Sequence, residues 1–246
     1  MAIINIQDLV KDYDTNGIAV RALRNVVLTV EKGEFTAIAG PSGSGKTTLL
    51  NIIGGLDSPT SGTVHVVGKD LAVLSPKGLS DMRLEKIGFI FQAYNLIPVL
   101  TALENVEYIL LLQGTGKEER RGRAMRILEE VGLGKEINRR PKELSGGQQQ
   151  RVAVARAIVS EPELVLADEP TANLDQKTGA GLLDLMHELN HRKNITFIFS
   201  THDRMVMDYA ERLISLTDGI IVSDEKKKSR REGAVITKPK KMKSKR

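Results

Sequence analysis

Two kinds of apolar pattern run through the chain. Ile4 and Ile6, then Val26, Leu28 and Val30, then Val64 and Val66 alternate with other residues. A period of two predicts strands with one face buried. Residues 35–39, 164–167 and 195–199 are instead short, nearly continuous apolar runs. Such runs predict strands covered on both faces, as in a parallel sheet. Residues 49–56, 123–131 and 181–189 space their apolar positions three and four apart, which predicts helices. Residues 213–216 and 220–222 flank Thr217-Asp218-Gly219, a hairpin signal. The stretch 98–160 reads as mostly helical, an insertion into an α/β core, and no internal repeat is present.

Composition narrows the picture. A chain of 246 residues can bury a sizeable core. There is no cysteine, which removes disulfide and thiolate chemistry and fits a reducing compartment. Met1 to Asn5 shows no basic segment followed by a long apolar core. The best apolar run, near Tyr108, is far too short to cross a bilayer. The expectation is a cytosolic protein, or a peripheral one at a membrane. The net charge of +5 is unevenly placed: residues 224–246 hold eleven Lys/Arg against three Asp/Glu, so that segment is +8 and the rest of the chain is −3. The high isoelectric point therefore belongs to a basic tail and says little about the body. Domain organisation reads as one unit over 1–223 and a tail over 224–246, low in apolar content and expected to be disordered.

The chemistry begins with Gly40-Pro41-Ser42-Gly43-Ser44-Gly45-Lys46-Thr47, followed by Thr48. This matches G-x-x-x-x-G-K-[ST] between an apolar strand and a helix, the context a phosphate-binding loop needs. Glycines let backbone N–H groups close around phosphate oxygens, and the helix N-terminus adds partial positive charge. Lys46 would reach the β/γ-phosphates and the Thr47 hydroxyl would ligate Mg²⁺. The plain alternative is a glycine-rich turn with a surface lysine. A second apolar strand ends in Asp168-Glu169. Carboxylates at the C-terminal end of a parallel strand face the ligand crevice. Asp168 would hold Mg²⁺ through water, and Glu169 would polarise an attacking water.

A third segment, Ser145-Gly146-Gly147-Gln148, opens an apolar-faced helix carrying Val152, Ala155 and Val159. Ser145 and Gln148 fit a capping box. A capped helix does not account for two glycines in its first turn unless something approaches the backbone closely. An anion at the helix N-terminus would be such a reason.

Together, "LSGGQQQR", the phosphate loop, "FIFQAYNLIP" around Gln92, "LADEP", "NLD" and "STHD" resemble, in order and spacing, the motifs of ATP-binding cassette (ABC) ATPases. The resemblance covers about residues 2–222. It implies a P-loop NTPase core of the α/β class with an N-terminal antiparallel β layer and an inserted helical subdomain at about 98–160. ATP and Mg²⁺ are the implied cofactors. By position, Tyr13 resembles the aromatic that stacks on adenine, although an ordinary edge-strand tyrosine would look the same. Gln92 resembles the glutamine that touches Mg²⁺ and the attacking water and senses a membrane partner. Asp175 resembles the acid that links opposed subunits. His202 resembles the histidine that contacts the γ-phosphate and Glu169. The family arrangement is a head-to-tail homodimer in which each ATP lies between one subunit's P-loop and the other's signature helix, so Ser145, Gly146, Gly147 and Gln148 would serve a partner's nucleotide.

"FQAYNLIPVLTALENV" and "ADEPTANLD" are similar to the lipoprotein-release, macrolide-export and cell-division subgroup, whose ATPases drive separate transmembrane permease subunits. Ala172 stands where glycine is usual there. The implied partner is such a permease, docked near residues 92–103 at the cytoplasmic face of the membrane. Two alternatives remain open: a membrane complex that transmits shape change without transport, and a soluble ABC ATPase acting on nucleic acid. The second lacks the long coiled-coil insertion of DNA-repair members and the paired cassettes of ribosomal ones. The basic tail could touch anionic lipid. No aromatic interleaves its lysines, so base stacking is not supported and nucleic acid is not the expected partner.

One motif falls outside this scheme. His187-Glu188-Leu189-Asn190-His191 spells H-E-x-x-H, a zinc-protease pattern. Helical periodicity places Leu182, Leu185, Met186 and Leu189 on one face and both histidines on the opposite, solvated face. No third ligand is evident in the sequence, so zinc is not expected there.

Overall fold

The computed structural model describes residues 1–15 and 18–227. The chain opens with two long antiparallel strands, β1 (Ala2–Thr15) and β2 (Ile18–Glu31). The central parallel strand β3 (Phe35–Ala39) follows, then α1 (Lys46–Ile53), β4 (Ser61–Val66), the short β5 (Lys69–Asp70), α2 (Pro76–Lys86) and β6 (Ile87–Ile90). Next come three helices, α3 (Ala102–Leu112), α4 (Lys117–Glu130) and α5 (Gly146–Ile158). The fold closes with β7 (Leu164–Asp168), α6 (Gln176–Lys193), β8 (Thr196–Thr201), α7 (Arg204–Tyr209), β9 (Arg212–Thr217) and β10 (Ile220–Lys226).

The strands form two sheets. One is antiparallel, in the order β2-β1-β4-β5; the other runs β10-β9-β3-β8-β7-β6. In the second, β9, β3, β8, β7 and β6 are parallel neighbours, and only β10 runs against them. The two apolar patterns sort accordingly. Ile4, Ile6, Val26, Leu28, Val30, Val64 and Val66 of the antiparallel layer are all buried. In the parallel sheet Val165, Ala167, Phe197 and Phe199 face the core shared with α3 to α6, while Leu164, Leu166 and Ile198 face the core shared with α1 and the antiparallel layer. The central strands β3, β7 and β8 are thus covered on both sides, which is why their sequences do not alternate.

Boundaries moved for physical reasons. The helix expected over 49–56 starts at Lys46 and ends at Ile53, where Gly54 and Gly55 follow. The segment expected as a tail from residue 224 begins inside β10, because the Arg212 guanidinium holds Asp224: Nε donates to Oδ1 at 2.7 Å and Nη2 to Oδ2 at 2.6 Å. The rest of that basic segment, 228–246, with its expected disorder and lipid contact, lies outside the described residues.

Parallel pairing brings the C-terminal ends of β3, β7 and β8 to one edge of the sheet. The glycine-rich loop, Asp168-Glu169 and Thr201-His202 follow directly from those ends.

Candidate active site

The loop of residues 40–48 wraps the start of α1. Gly45 occupies the N-cap with φ 102°, and no side chain caps this helix. That φ favours glycine, and a Cβ there would lie 2.7 Å from the Ala22 carbonyl oxygen. The first-turn N–H groups of α1 are therefore left without a side-chain acceptor, which suits phosphate oxygens. Lys46 is 7% exposed, and its Nζ donates to the carbonyls of Gly40 at 2.8 Å and Pro41 at 2.9 Å. An ammonium is thus held within the loop. The Ser44 hydroxyl is buried with no hydrogen-bond partner among the described residues.

Thr47 stands against Asp168. Its Oγ1 lies 3.2 Å from Oδ2 and 3.4 Å from Oδ1 of the carboxylate. A hydroxyl and a carboxylate side by side are hard oxygen donors of the kind Mg²⁺ takes from protein while keeping waters and phosphate oxygens as its other ligands.

Glu169 is held by four contacts. Its N–H donates to the Ser200 carbonyl at 2.9 Å, and Oε2 accepts from Thr201 Oγ1 at 3.1 Å. Oε1 accepts from the His202 N–H at 3.1 Å and lies 2.6 Å from His202 Nδ1. The residue sits at φ 47°, a left-handed conformation that costs a non-glycine residue about 1–2 kcal/mol. The Glu169 side chain is 13% exposed and that of His202 is 70% exposed, so a carboxylate is fixed at the crevice with an imidazole reaching outward. Thr201, which the sequence reading did not single out, accepts from Asp203 N at 2.9 Å as well. It sits inside "STHD", yet only the fold reveals it as the clamp on Glu169.

The other expected residues group elsewhere. Tyr13 donates its hydroxyl to Asp57 Oδ2 at 2.7 Å, and Lys11 Nζ lies 4.7 Å from its ring centroid. Burial, then the Asp57 carboxylate, push the phenol above its ordinary pKa, while the hydroxyl of Thr48 at the end of the phosphate loop works the other way. The ring thus flanks the loop and is 37% exposed. Gln92 presents an exposed side chain, and its carbonyl accepts from Asn173 Nδ2 at 2.8 Å. Ser145 caps α5: its Oγ accepts from Gln148 N at 3.3 Å, and Gln148 Oε1 accepts from Ser145 N at 2.9 Å. Asp175 caps α6, with Oδ1 accepting from Lys177 N and Thr178 N and Oδ2 accepting from Thr178 Oγ1 at 2.6 Å. The Thr178 hydroxyl and these N–H groups hold the Asp175 carboxyl below its usual range.

The two glycines of α5 have a reason inside the chain. A Cβ on Gly147 would meet Thr178 Cγ2 at 2.4 Å, and one on Gly146 would meet the Tyr94 hydroxyl at 2.9 Å. The close approach inferred from sequence exists, but the approaching groups are the chain's own. The signature turn therefore packs against Tyr94, Leu174 and Thr178, while the phosphate loop packs against Ala22, Leu23 and Leu216.

The family profile described as ABC transporter matches residues 23–172. The chain belongs to the ABC transporter family. It is that family's ATPase cassette, with ATP and Mg²⁺ as cofactors. An ABC transporter ATP-binding protein of Thermotoga maritima is 46% identical over 225 residues, which are 92% of this chain and 96% of that protein. The macrolide export ATP-binding/permease protein MacB of Hyphomonas neptunium is 47% identical over 222 residues, 90% of this chain but 34% of MacB. The cassette thus spans about a third of the MacB relatives it matches. Among solved structures, the ATP-binding cassette MJ0796, from Methanocaldococcus jannaschii, is similar with 45% identity and a TM-score of 0.85, covering 92% of this chain and 99% of that one. It was solved as a dimer in a post-hydrolysis state bound to ADP and Pi.

Proposed function

We propose that this cassette pairs head to tail with a second copy around two Mg-ATP and drives a separate membrane permease of the macrolide-export type, from the cytoplasmic face. The observation that carries the pairing is that two glycine-bearing helix starts within one chain pack against different neighbours. The uncapped N-terminus of α1 belongs to the phosphate loop, whereas Ser145 is exposed at the start of α5 and packs with a different set of neighbours. A second chain lets the two starts face one nucleotide. The dimeric state of the MJ0796 cassette supports the same arrangement.

In this reading Gly40 to Thr48 hold the phosphates, with Lys46 neutralising charge. Thr47, Asp168 and Gln92 would hold Mg²⁺, which when bound offsets negative charge on the phosphate oxygens. Glu169, fixed by Thr201 and the His202 N–H, orients and polarises the attacking water, and His202 senses the terminal phosphate. Tyr13 carries the base on its ring, an amphipathic surface suited to that task. Ser145, Gly146, Gly147, Gln148 and Asp175 complete the opposite chain's site. Loss of the terminal phosphate removes the charge that draws the two helix starts together.

Complementation tests the pairing. Lys46→Ala disables one half-site and Ser145→Arg the other, so each homodimer should be inactive. Mixing them makes a heterodimer with one intact composite site, and ATP turnover should return. A mixture as dead as its parents would contradict the reading.

For the permease, the MacB relatives carry ATP-binding and permease parts in one chain, and no helix among the described residues is long and apolar enough to cross a membrane. A groove of about 460 Å³ between α2, β6, α3 and α5, lined by Leu84, Phe89, Phe91, Ile97, Tyr108 and Ile109, would take a short cytoplasmic helix of that permease by its apolar face. Tyr108→Glu should abolish stimulation of turnover by the permease. Loss of unstimulated turnover as well would count against this use of the groove.

A further inference from the structure

The H-E-x-x-H pattern gains a third group in the fold. His187 and His191 are one turn apart on α6, and their Nε2 atoms lie 3.1 Å from each other. Glu211, just before β9, brings its Oε1 to 3.3 Å from His187 Nε2 and 3.5 Å from His191 Nε2. The three donor atoms form a nearly equilateral triangle. With zinc–ligand bonds of about 2.0–2.1 Å, two ligands of a tetrahedral ion stand about 3.3–3.4 Å apart. The observed edges bracket that length.

We propose that His187, His191 and Glu211 form a binding site for a divalent transition ion of the zinc class. Two imidazoles and one carboxylate are donors suited to that class, and a tetrahedral ion on this face keeps its fourth position open to solvent. The ligands are held in place by their surroundings. The His187 ring packs edge-on against Phe35 at 5.2 Å and against the His191 ring at 4.3 Å. The Glu211 backbone is fixed on both sides, its N–H donating to the Phe35 carbonyl at 2.9 Å and its carbonyl accepting from Lys227 N at 2.7 Å. The side chains are 28%, 33% and 34% exposed, so an ion can enter without opening the fold.

The chemistry is structural and not proteolytic. Glu188, the residue a zinc protease would use as base, turns outward, where its carboxylate accepts from Arg192 at 3.1 Å with the side chain 61% exposed. A bound ion would staple α6 to the start of β3 and β9. Phe35 is at the opposite end of β3 from the phosphate loop, about 13 Å away along the strand. The staple therefore acts on stability and leaves unstimulated turnover alone.

The test uses the full chain without an affinity tag, stripped of metal by a chelator. Zn²⁺ is titrated against a chromophoric chelator, and Co²⁺ is added in parallel. The wild type should take up one Zn²⁺ per chain, show visible Co²⁺ absorption of tetrahedral intensity, and melt at a higher temperature with Zn²⁺. His191→Ala and Glu211→Gln should each weaken Zn²⁺ binding by at least about tenfold and remove the Co²⁺ bands, with ATP turnover unchanged. His191→Cys keeps a donor at the same position, so it should retain the ion and add a thiolate charge-transfer band. No stoichiometric uptake by the wild type would overturn the proposal. So would uptake that neither His191→Ala nor Glu211→Gln weakens, because the ion would then sit elsewhere.

Discussion

Gly147 has two reasons to lack a side chain, and they can be separated. One is Thr178, whose Cγ2 would sit 2.4 Å from an added Cβ. The other is the partner nucleotide proposed above. Gly147→Ala should destabilise the chain by overpacking, on the order of 1–3 kcal/mol. Adding Thr178→Ser removes the offending methyl while keeping the hydroxyl that Asp175 accepts from. Thermal unfolding of the double variant should return close to wild type, while ATP turnover stays low. If turnover returns with stability, packing alone explains the glycine. Gly147 also marks what was legible at this scale. The sequence showed that something must approach the backbone; it could not show that the neighbour comes from α6 of the same chain. The placement of Lys46, Thr47, Asp168 and Glu169 at one sheet edge was legible because their spacing fixes them within strand–loop–helix units. Thr201 was not, because its importance lies in a hydrogen bond to Glu169 across 32 positions.

Elements were legible where local chemistry decides them. Asp218 and Gly219 both have positive φ, 48° and 78°, as a two-residue hairpin turn demands. Ser145 and Gln148 form the capping box their spacing predicts. The four-residue β6 was not singled out: a short apolar run is ambiguous alone, and pairing with β7 makes it a strand. The end of β10 was missed because charge composition shifts at residue 224, while residues 224–226 still pair with β9. Arg212 donates to Asp224 and, through Nη1, to Glu34 Oε2 at 2.7 Å. The Arg212 fork holds the Asp224 carboxyl below the usual carboxylate range. A lowered folded pKa contributes stability above the unfolded value and loses it as pH falls through the folded one. Asp224→Asn should therefore lower the melting temperature at neutral pH, with a cost of about 1 kcal/mol or less, because the Asp224 side chain is 39% exposed and Arg212 keeps its bond to Glu34. The difference from wild type should begin to shrink as pH falls through about 4 and vanish once pH is below the lowered folded value. A difference independent of pH would assign the effect to packing instead.

At the scale of the molecule, two placements support the proposed function. Parallel pairing gathers the phosphate loop, Asp168-Glu169 and Thr201-His202 at one edge of the sheet. The signature turn, Asn173 and the Gln92 loop form a second group, joined by the Asn173–Gln92 hydrogen bond and the contacts of Gly146. In the proposed reading the first group supplies Lys46, Thr47, Asp168, Glu169 and His202 to a nucleotide and its water, and the second offers a helix start with its own neighbours. In the proposed assembly a second copy of the chain unites them. The most direct measurement is the mass in solution, by light scattering, of Glu169→Gln with and without Mg-ATP. That variant should bind ATP, hydrolyse it far too slowly to release it, and double its mass only when Mg-ATP is present; adding Ser145→Arg should return it to a monomer. A Glu169→Gln chain that binds Mg-ATP and stays monomeric would contradict a composite site built by this chain alone.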